Sequence, residues 1–484
     1  MTSTMRGSVI RSRLPLVSGS AKILFSLLLG IAAFATALAQ SEPDSPLVAV
    51  ITTATPSVAA DAPASATDPT QSTATTAPEL QPASNSQTLD AQSGADSKPE
   101  FRTGDVVSAV PKRFQYAFRL NMRGVYDDNI FLRQFDRVGD FYFTIEPGLT
   151  LGFGDIVGAD MNSIRIDYSP SIFLYADHTD ANSIHQIFRL QGRYRLGRLS
   201  LALGQDVQLL EGPNQGAINF GTPGSSTTPG LNIDVGGNRE VDIYTTNATF
   251  SYDLTGKTFL SGALNFTAYQ YESLISSQQI QGNLFVNYIY SPKLTVGLGG
   301  TLGYSWVDGN NPDQTFEQVN VRTNYQLSGK ISLDASFGIE FRQIEGDLGA
   351  GTNISPVYEI GATYQPFDGT TVTLRGTRRT LNSAVFAAQD YETTNMNLAL
   401  RQRFMRRFYI GVAVGYEHTE YFNTVEFVSA GRADDYFYIQ PSVDVTLTRF
   451  WTMGAYYLHR RDESSFDAFS FYDNQAGLRT SLTF

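Results

Sequence analysis

From Phe114 onward, apolar and polar residues alternate with a period of two. Phe114, Tyr116, Phe118, Leu120 and Met122 share one face; Gln115, Ala117, Arg119, Asn121 and Arg123 share the other. The pattern recurs at Phe141, Phe143, Ile145, Pro147, Leu149 and Leu151, set against Tyr142, Thr144, Glu146, Gly148 and Thr150. Successive side chains of a strand point to opposite faces, so each stretch predicts a strand with one apolar and one polar face. The stretches run for about ten residues, the length of a tilted strand crossing a bilayer. Strands of a globular sandwich run about five or six. About eighteen such segments follow one another, starting near residues 114, 140, 163, 183, 198, 240, 257, 278, 293, 316, 330, 353, 370, 391, 407, 435, 449 and 470.

The connections alternate in length. Short ones carry turn residues, as at Gly197-Arg198, Thr255-Gly256-Lys257, Ser291-Pro292-Lys293, Ser328-Gly329-Lys330, Phe367-Asp368-Gly369, Met405-Arg406-Arg407 and Thr448-Arg449. Longer ones fall between them, at 127–139, 211–239, 306–315, 344–352, 381–390, 422–434 and 462–470. Short periplasmic turns and long outer loops characterise outer-membrane barrels. This predicts an all-β fold: a transmembrane antiparallel β-barrel of 16–20 strands with an even count, both chain ends on the periplasmic side. The sheet has to close, because a lipid-exposed edge leaves backbone groups unpaired in hydrocarbon.

The polar face then lines a lumen. Its candidate residues are Arg119, Arg123, Glu146, Arg165, Asp167, Arg189, Arg193, Asp206, Asp334, Glu340, Arg342, Glu359 and Arg375. Charges on the lipid side would cost roughly 2–4 kcal/mol each at mid-depth. Tyr252, Phe259, Tyr288, Tyr290, Tyr325, Tyr364, Phe408 and Trp451 fall near strand ends and suit interfacial girdles. Lumenal tyrosines such as Tyr142 and Tyr175 would either stack on sugar rings or pack a loop.

The start of the chain reads differently. Arg6, Arg11, Arg13 and Lys22 precede an apolar run from Ile23 to Ala35, and Ala37-Leu38-Ala39 offers a cleavage site before Gln40. Residues 1–39 are thus expected to be a secretory signal peptide. Residues 40–110 are rich in Ala, Thr, Ser and Pro and hold no aromatic before Phe101. Such composition predicts a disordered periplasmic linker. The chain has no cysteine, which excludes disulfides and a lipoprotein anchor. Its net charge of −12 argues against nucleic acid as a partner.

Chemistry is sparse. The four histidines, His178, His185, His418 and His459, have no local spacing that ties them to a nucleophile, so no enzyme is predicted. The rim enzyme stands as a third, weaker reading. Asp127-Asp128-Asn129 and Asp434-Asp435 lack the spaced acids of a calcium loop and read as solvated loop acids; no metal or cofactor is expected.

Two stretches carry resemblances. The terminal alternation ending in Leu482 and Phe484 resembles the signal that outer-membrane proteins present to the barrel-assembly machinery. Tyr126-Asp127-Asp128-Asn129-Ile130-Phe131 closes the first strand, and Ile145-Glu146-Pro147-Gly148-Leu149 lies in the second. Together they resemble the outer-membrane β-barrel porin family, in the branch that accompanies exopolysaccharide export loci. That resemblance implies a Gram-negative outer membrane and contact with lipopolysaccharide. The charged lumenal face implies porin-like passive passage of polar solutes or saccharides, and the resemblance adds a link to exopolysaccharide export with polysaccharide as a partner. The alternative is a plugged structural or surface-interaction barrel that anchors the envelope or the polysaccharide machinery.

Overall fold

A computed structural model describes residues 114–484 apart from 155–161, 214–231, 236, 238–239, 310, 346–350 and 425–430. The expected signal peptide and linker lie outside the described residues. The strands are β1 (Phe114–Asp127), β2 (Asp140–Gly154), β3 (Ser163–Tyr168), β4 (Ser171–Tyr175), β5 (Ser183–Leu196) and β6 (Leu199–Leu210). Next come β7 (Val241–Asp253), β8 (Thr258–Tyr271), β9 (Ser277–Ser291), β10 (Leu294–Val307), β11 (Gln314–Ser328) and β12 (Ile331–Ile344). The last are β13 (Gly351–Tyr364), β14 (Thr370–Asn382), β15 (Gln389–Phe404), β16 (Phe408–Asn423), β17 (Ala433–Thr446), β18 (Trp451–Ser464) and β19 (Phe471–Thr483).

β3 and β4 are two halves of one stave. Both pair with β2 and with β5, and Pro170 stands in the gap between them. Proline has no N–H to give to a ladder, so the strand breaks there. The nineteen segments therefore make eighteen staves, each antiparallel to its neighbours. β19 returns to β1, with Asp127 opposite Gln475 and Arg119 opposite Thr483, and the barrel is closed. Phe484 completes the seam. It exchanges both backbone hydrogen bonds with Phe118, at 3.1 and 2.8 Å, and its ring stacks on Phe450.

The outward faces carry the apolar residues. Leu149, Phe337, Leu298, Val319 and Ile354 all stand exposed on the barrel's outside, as alternation requires. Tyr252, Tyr288, Tyr290, Tyr364, Phe408 and Trp451 also point out near the turn end. Phe259 does not. It is buried, on the same face of β8 as Thr267, and points into the lumen. It sits one position out of step with the girdle, because Thr258 rather than Phe259 opens the strand.

The lumen contains its own apolar cluster. Val125, Tyr142, Phe173, Tyr436, Tyr438, Tyr456, Leu458 and Phe471 from the wall meet Ile130 and Leu132 of the β1–β2 loop and Ile233 of the β6–β7 loop. Tyr142 and Tyr175 lie here, ring centres 5.2 Å apart, so they pack loops rather than face a pathway. Two of the tyrosine rings need glycine beside them. A Cβ at Gly415 would sit 2.0 Å from Tyr438, and one at Gly477 would sit 2.4 Å from Tyr456. Aromatic rings covering cross-strand glycines let the wall curve while the lumen stays filled.

Candidate solute pathway and its mouth

The thirteen predicted lumenal charges all belong to inward faces. Arg123 reaches Glu146 at 3.5 Å, Arg165 reaches Asp167 at 2.7 Å, Arg189 reaches Asp206 at 2.6 Å and Arg342 reaches Glu340 at 2.9 Å. Arg119 lies over Gly148, and Asp334 over Gly361. Arg193 stands opposite Ser163, Glu359 opposite Ser336 and Arg375 opposite Gly361, each at a lumenal register position. Sequence reasoning passed over Arg322, which donates to Asn287 Oδ1 at 2.9 Å, and Arg479, which forks onto Asp444 at 2.8 and 2.7 Å. It also missed Arg432 and Arg460. Alternation was a usable signal for all of these except Arg432, which lies in a loop.

The mouth end of the lumen is acidic. Asp127, Asp140, Asp234, Glu340, Asp390, Glu417, Asp434, Asp462 and Asp473 gather there with Arg123, Arg342, Arg379, Arg432 and Arg460. Nine carboxyls thus meet five guanidinium groups. Burial this deep is tolerated only with partners. Arg460 pairs with Asp473 at 2.5 Å, and Arg432 with Asp434 at 2.7 Å.

Two elements intrude on this mouth. The first is the β6–β7 loop. Asp234 accepts hydrogen bonds from Ser383 Oγ at 2.9 Å, Ala384 N at 2.6 Å and Tyr421 Oη at 3.0 Å. Arg432 donates to the Ile233 and Asp234 carbonyls at 3.0 and 3.4 Å. Counted round the sheet, β16 lies nine staves from β7, halfway around eighteen. Residues 233 and 234 of this loop are therefore latched to side chains of the wall opposite β7. Burial raises the Asp234 carboxyl above the usual carboxylate range, against the lowering effects of the Ala384 N–H, Arg432, Ser383 and Tyr421. Glu240, at the base of the loop, is raised by burial and by its shared hydrogen bond with Glu272.

The second intrusion is the β14–β15 hairpin. The β13–β14 ladder runs only from Tyr364↔Val372 to Tyr358↔Arg378 and then stops. Pro356, with no N–H to offer β14, stands just beyond the last pair. Above that point the outer face of β14–β15 touches the inner face of β10, β11 and β13. Ser305 Oγ donates to Asn382 at 2.8 Å, and Gln314 Nε2 to Asp390 at 2.8 Å. Asn353 Nδ2 donates to Glu392 at 3.2 Å, and the Ser355 and Thr380 hydroxyls meet at 3.4 Å. The wall thus overlaps itself, and the hairpin tip lies inside the barrel. Its loop reaches the neighbouring loops through Ile275 N to Ala384 O at 2.9 Å and Ala388 N to Asn311 Oδ1 at 2.6 Å.

Between the two intrusions and the β8–β9 wall lies a small chamber. Thr267, Tyr269, Tyr271, Ser277 and Gln279 line one side, Arg379, Leu381, Asn382, Ala384 and Tyr391 the other, and Asn232 and Asp234 the loop edge. Of these residues only Asn232, Asp234 and Ala384 belong to the loops. The chamber arises from the hairpin's fold into the lumen, which alternation alone does not announce.

The histidines sit at the rim. His178 Nδ1 lies 3.1 Å from Asp140, His418 2.9 Å from Asp435, His459 2.8 Å from the Asn474 amide, and His185 2.7 Å from the Glu211 carbonyl. None of these contacts joins a histidine to a hydroxyl nucleophile. Asp127, Asp128 and Asp473 converge within 4.8 Å. Arg460 holds Asp473, Asn129 N and Gln475 hold Asp127, and Asn474 donates twice to Asp128, so this cluster is knit by protein donors.

No protein-family model matches the chain, and no curated protein matches it. Among solved structures, OccK11 (OpdR) of Pseudomonas aeruginosa aligns at 12% identity over 78% of this chain and 99% of its own, with a TM-score of 0.40. OccAB3 of Acinetobacter baumannii aligns at 10% identity over 76% and 99%, with a TM-score of 0.40. OpdK of Pseudomonas aeruginosa with vanillate aligns at 12% over 76% and 99%, with a TM-score of 0.39. At these values the likeness carries no statement about function, which has to come from the barrel's own geometry.

Proposed function

We propose that the protein is an outer-membrane channel for small polar solutes, saccharides among them, with both chain ends on the periplasmic side. The observation that carries this reading is a closed eighteen-stave barrel, apolar outside and charged inside. A hydrocarbon solvent selects the outer face, and water in a pore selects the inner one. Charged linings set selectivity by their field. The narrowed mouth favours small solutes, since an extended polymer would have to pass both the latched loop and the folded hairpin. A role beside an exopolysaccharide exporter rests on the Tyr126 to Phe131 resemblance.

The second reading, a plugged structural barrel, draws on the apolar cluster that fills part of the mouth. Planar-bilayer recording of the refolded protein separates the two. The channel reading expects discrete conductance steps. Correctly folded, heat-modifiable protein that inserts but gives no steps would establish the structural barrel instead.

A further inference from the structure

The outside of the barrel carries two cations at its loop end. Arg461 shares the outward face of β18 with Met453 and Tyr457. An arginine on a lipid-facing strand is costly at mid-depth and nearly free of cost at the interface. Arg461 stands near the loop end of β18, which places it at headgroup level. Opposite it in the ladder is Tyr472 of β19, also outward. Over that ring lies a second guanidinium, Arg137 of the β1–β2 loop, 3.7 Å from the ring centre. Stacking takes up the flat face of a guanidinium and leaves its N–H edge able to donate. Arg137 makes no hydrogen bond among the described residues. Arg461 pairs with Glu463, and both side chains are more than half exposed. Such a pair is screened by water and readily exchanged.

Two guanidinium groups about one tyrosine call for an anion. Two acids of this face are already engaged. Asp128 accepts twice from Asn474, at 2.8 Å each, and Asp435 accepts from Tyr416 Oη and lies 2.9 Å from His418 Nδ1. The setting narrows the choice of anion. Phe135, in the same loop as Arg137, is 68% exposed, and Tyr126 and Phe141 stand outward, paired across the base of that loop. Cations flanked by exposed aromatic rings suit a lipid surface, with rings toward the acyl chains and charge at the headgroups. Guanidinium groups match phosphate through paired N–H bonds. We propose that Arg137 and Arg461 hold a phosphate of an outer-leaflet glycolipid on the outside of the barrel, beside Tyr472. The inference rests on the outer-membrane location in the proposed function and not on conduction.

Native mass spectrometry of the full chain, released from detergent micelles, tests it. The probe is diphosphoryl lipid A, with dephosphorylated lipid A as comparator and inorganic phosphate as competitor. The phosphorylated lipid is expected to be retained roughly tenfold more strongly than the dephosphorylated one, the worth of one charge-assisted hydrogen bond. Arg137→Ala combined with Arg461→Ala should abolish that difference. Tyr472→Leu, which unseats Arg137, should reduce it. Gln343→Ala, outward on β12 with Ile339 and Phe341, should leave it at the parent value. Heat-modifiable migration on gels verifies that each variant is folded. Equal retention of the two lipids, or a difference undiminished in the folded double variant, would overturn the site. Displacement of the lipid by equimolar inorganic phosphate would assign the arginines to a free ion and overturn it as well. Conductance without phosphate-dependent retention would sink the lipid site alone, and such retention without conductance would sink the channel reading alone.

Discussion

At the residue scale, strict alternation made the inner and outer faces readable. Arg123 and Glu146 fall inside and Leu149 outside because a pleated strand leaves a side chain no third choice. Which acid each arginine would meet was not readable. The partnership of Arg479 with Asp444 spans two strands and depends on register, which hydrogen bonding sets and composition does not. Asp234 shows the same limit, since nothing local announces its partners 149 to 198 residues away. Its burial has a pH consequence. A carboxyl whose pKa is higher in the latched than in the free loop binds its proton more readily when latched. Latching is then strongest in acid and weakens as the pH rises from the free toward the latched pKa, levelling off above it. Arg432, Asp434, Tyr421 and Tyr391 surround Asp234 and fix the charge it feels. Single-channel conductance is expected to rise from acid to neutral pH, and Asp234→Asn should flatten that rise. An unchanged profile in the variant would remove Asp234 as its source.

At the element scale, the strand starts expected from periodicity fall within two residues of those observed, from Phe114 at β1 to Phe471 at β19. The signal was strong because each strand must satisfy two solvents over its whole length. Three features escaped it. Pro170 splits a stave, the β8–β9 connection is a short loop at 272–276, and the upper β14–β15 hairpin leaves the wall. The hairpin kept its alternation while its surroundings changed. Thr380, Asn382, Asp390 and Glu392 continue the face that is outward lower down, and their polarity suits the lumenal surface they meet instead. A run of polar residues on a lipid face was the available clue. The overlap is testable by cross-linking. The Ser355 and Thr380 hydroxyls lie 3.4 Å apart, close to the reach of a disulfide. Ser355→Cys with Thr380→Cys in this cysteine-free chain should oxidise readily to an intramolecular bond, seen as loss of free thiol and protection of both cysteine peptides in mass spectrometry. Two thiols that remain free under mild oxidant would mean that the hairpin stands in the wall.

At the scale of the whole molecule, charge is sorted along the lumen. The mouth sets nine carboxyls against five arginines, whereas below it Arg119, Arg165, Arg189, Arg193, Arg322, Arg375 and Arg479 face Glu146, Asp167, Asp206, Asp334, Glu359 and Asp444. The two stretches have opposite sign, so net charge alone does not predict selectivity. Geometry decides, because the field of a fixed charge acts most strongly where the passage is narrow and little water separates ion from wall. The loop and the hairpin both intrude at the acidic end, so the acidic end sets the sign. In a tenfold KCl gradient at neutral pH the reversal potential should therefore indicate cation preference. Glu417 marks the residue to alter. It faces the lumen and accepts from Thr393 at 2.9 Å and Asn395 at 2.8 Å. In Glu417→Gln the amide oxygen can accept from Asn395 while the NH2 donates to the Thr393 hydroxyl, and the charge is removed, so folding should be unaffected and cation preference reduced. Anion preference in the parent protein would place the narrowest passage in the arginine-rich stretch below, and the two intrusions would then cover the mouth without controlling what passes through it.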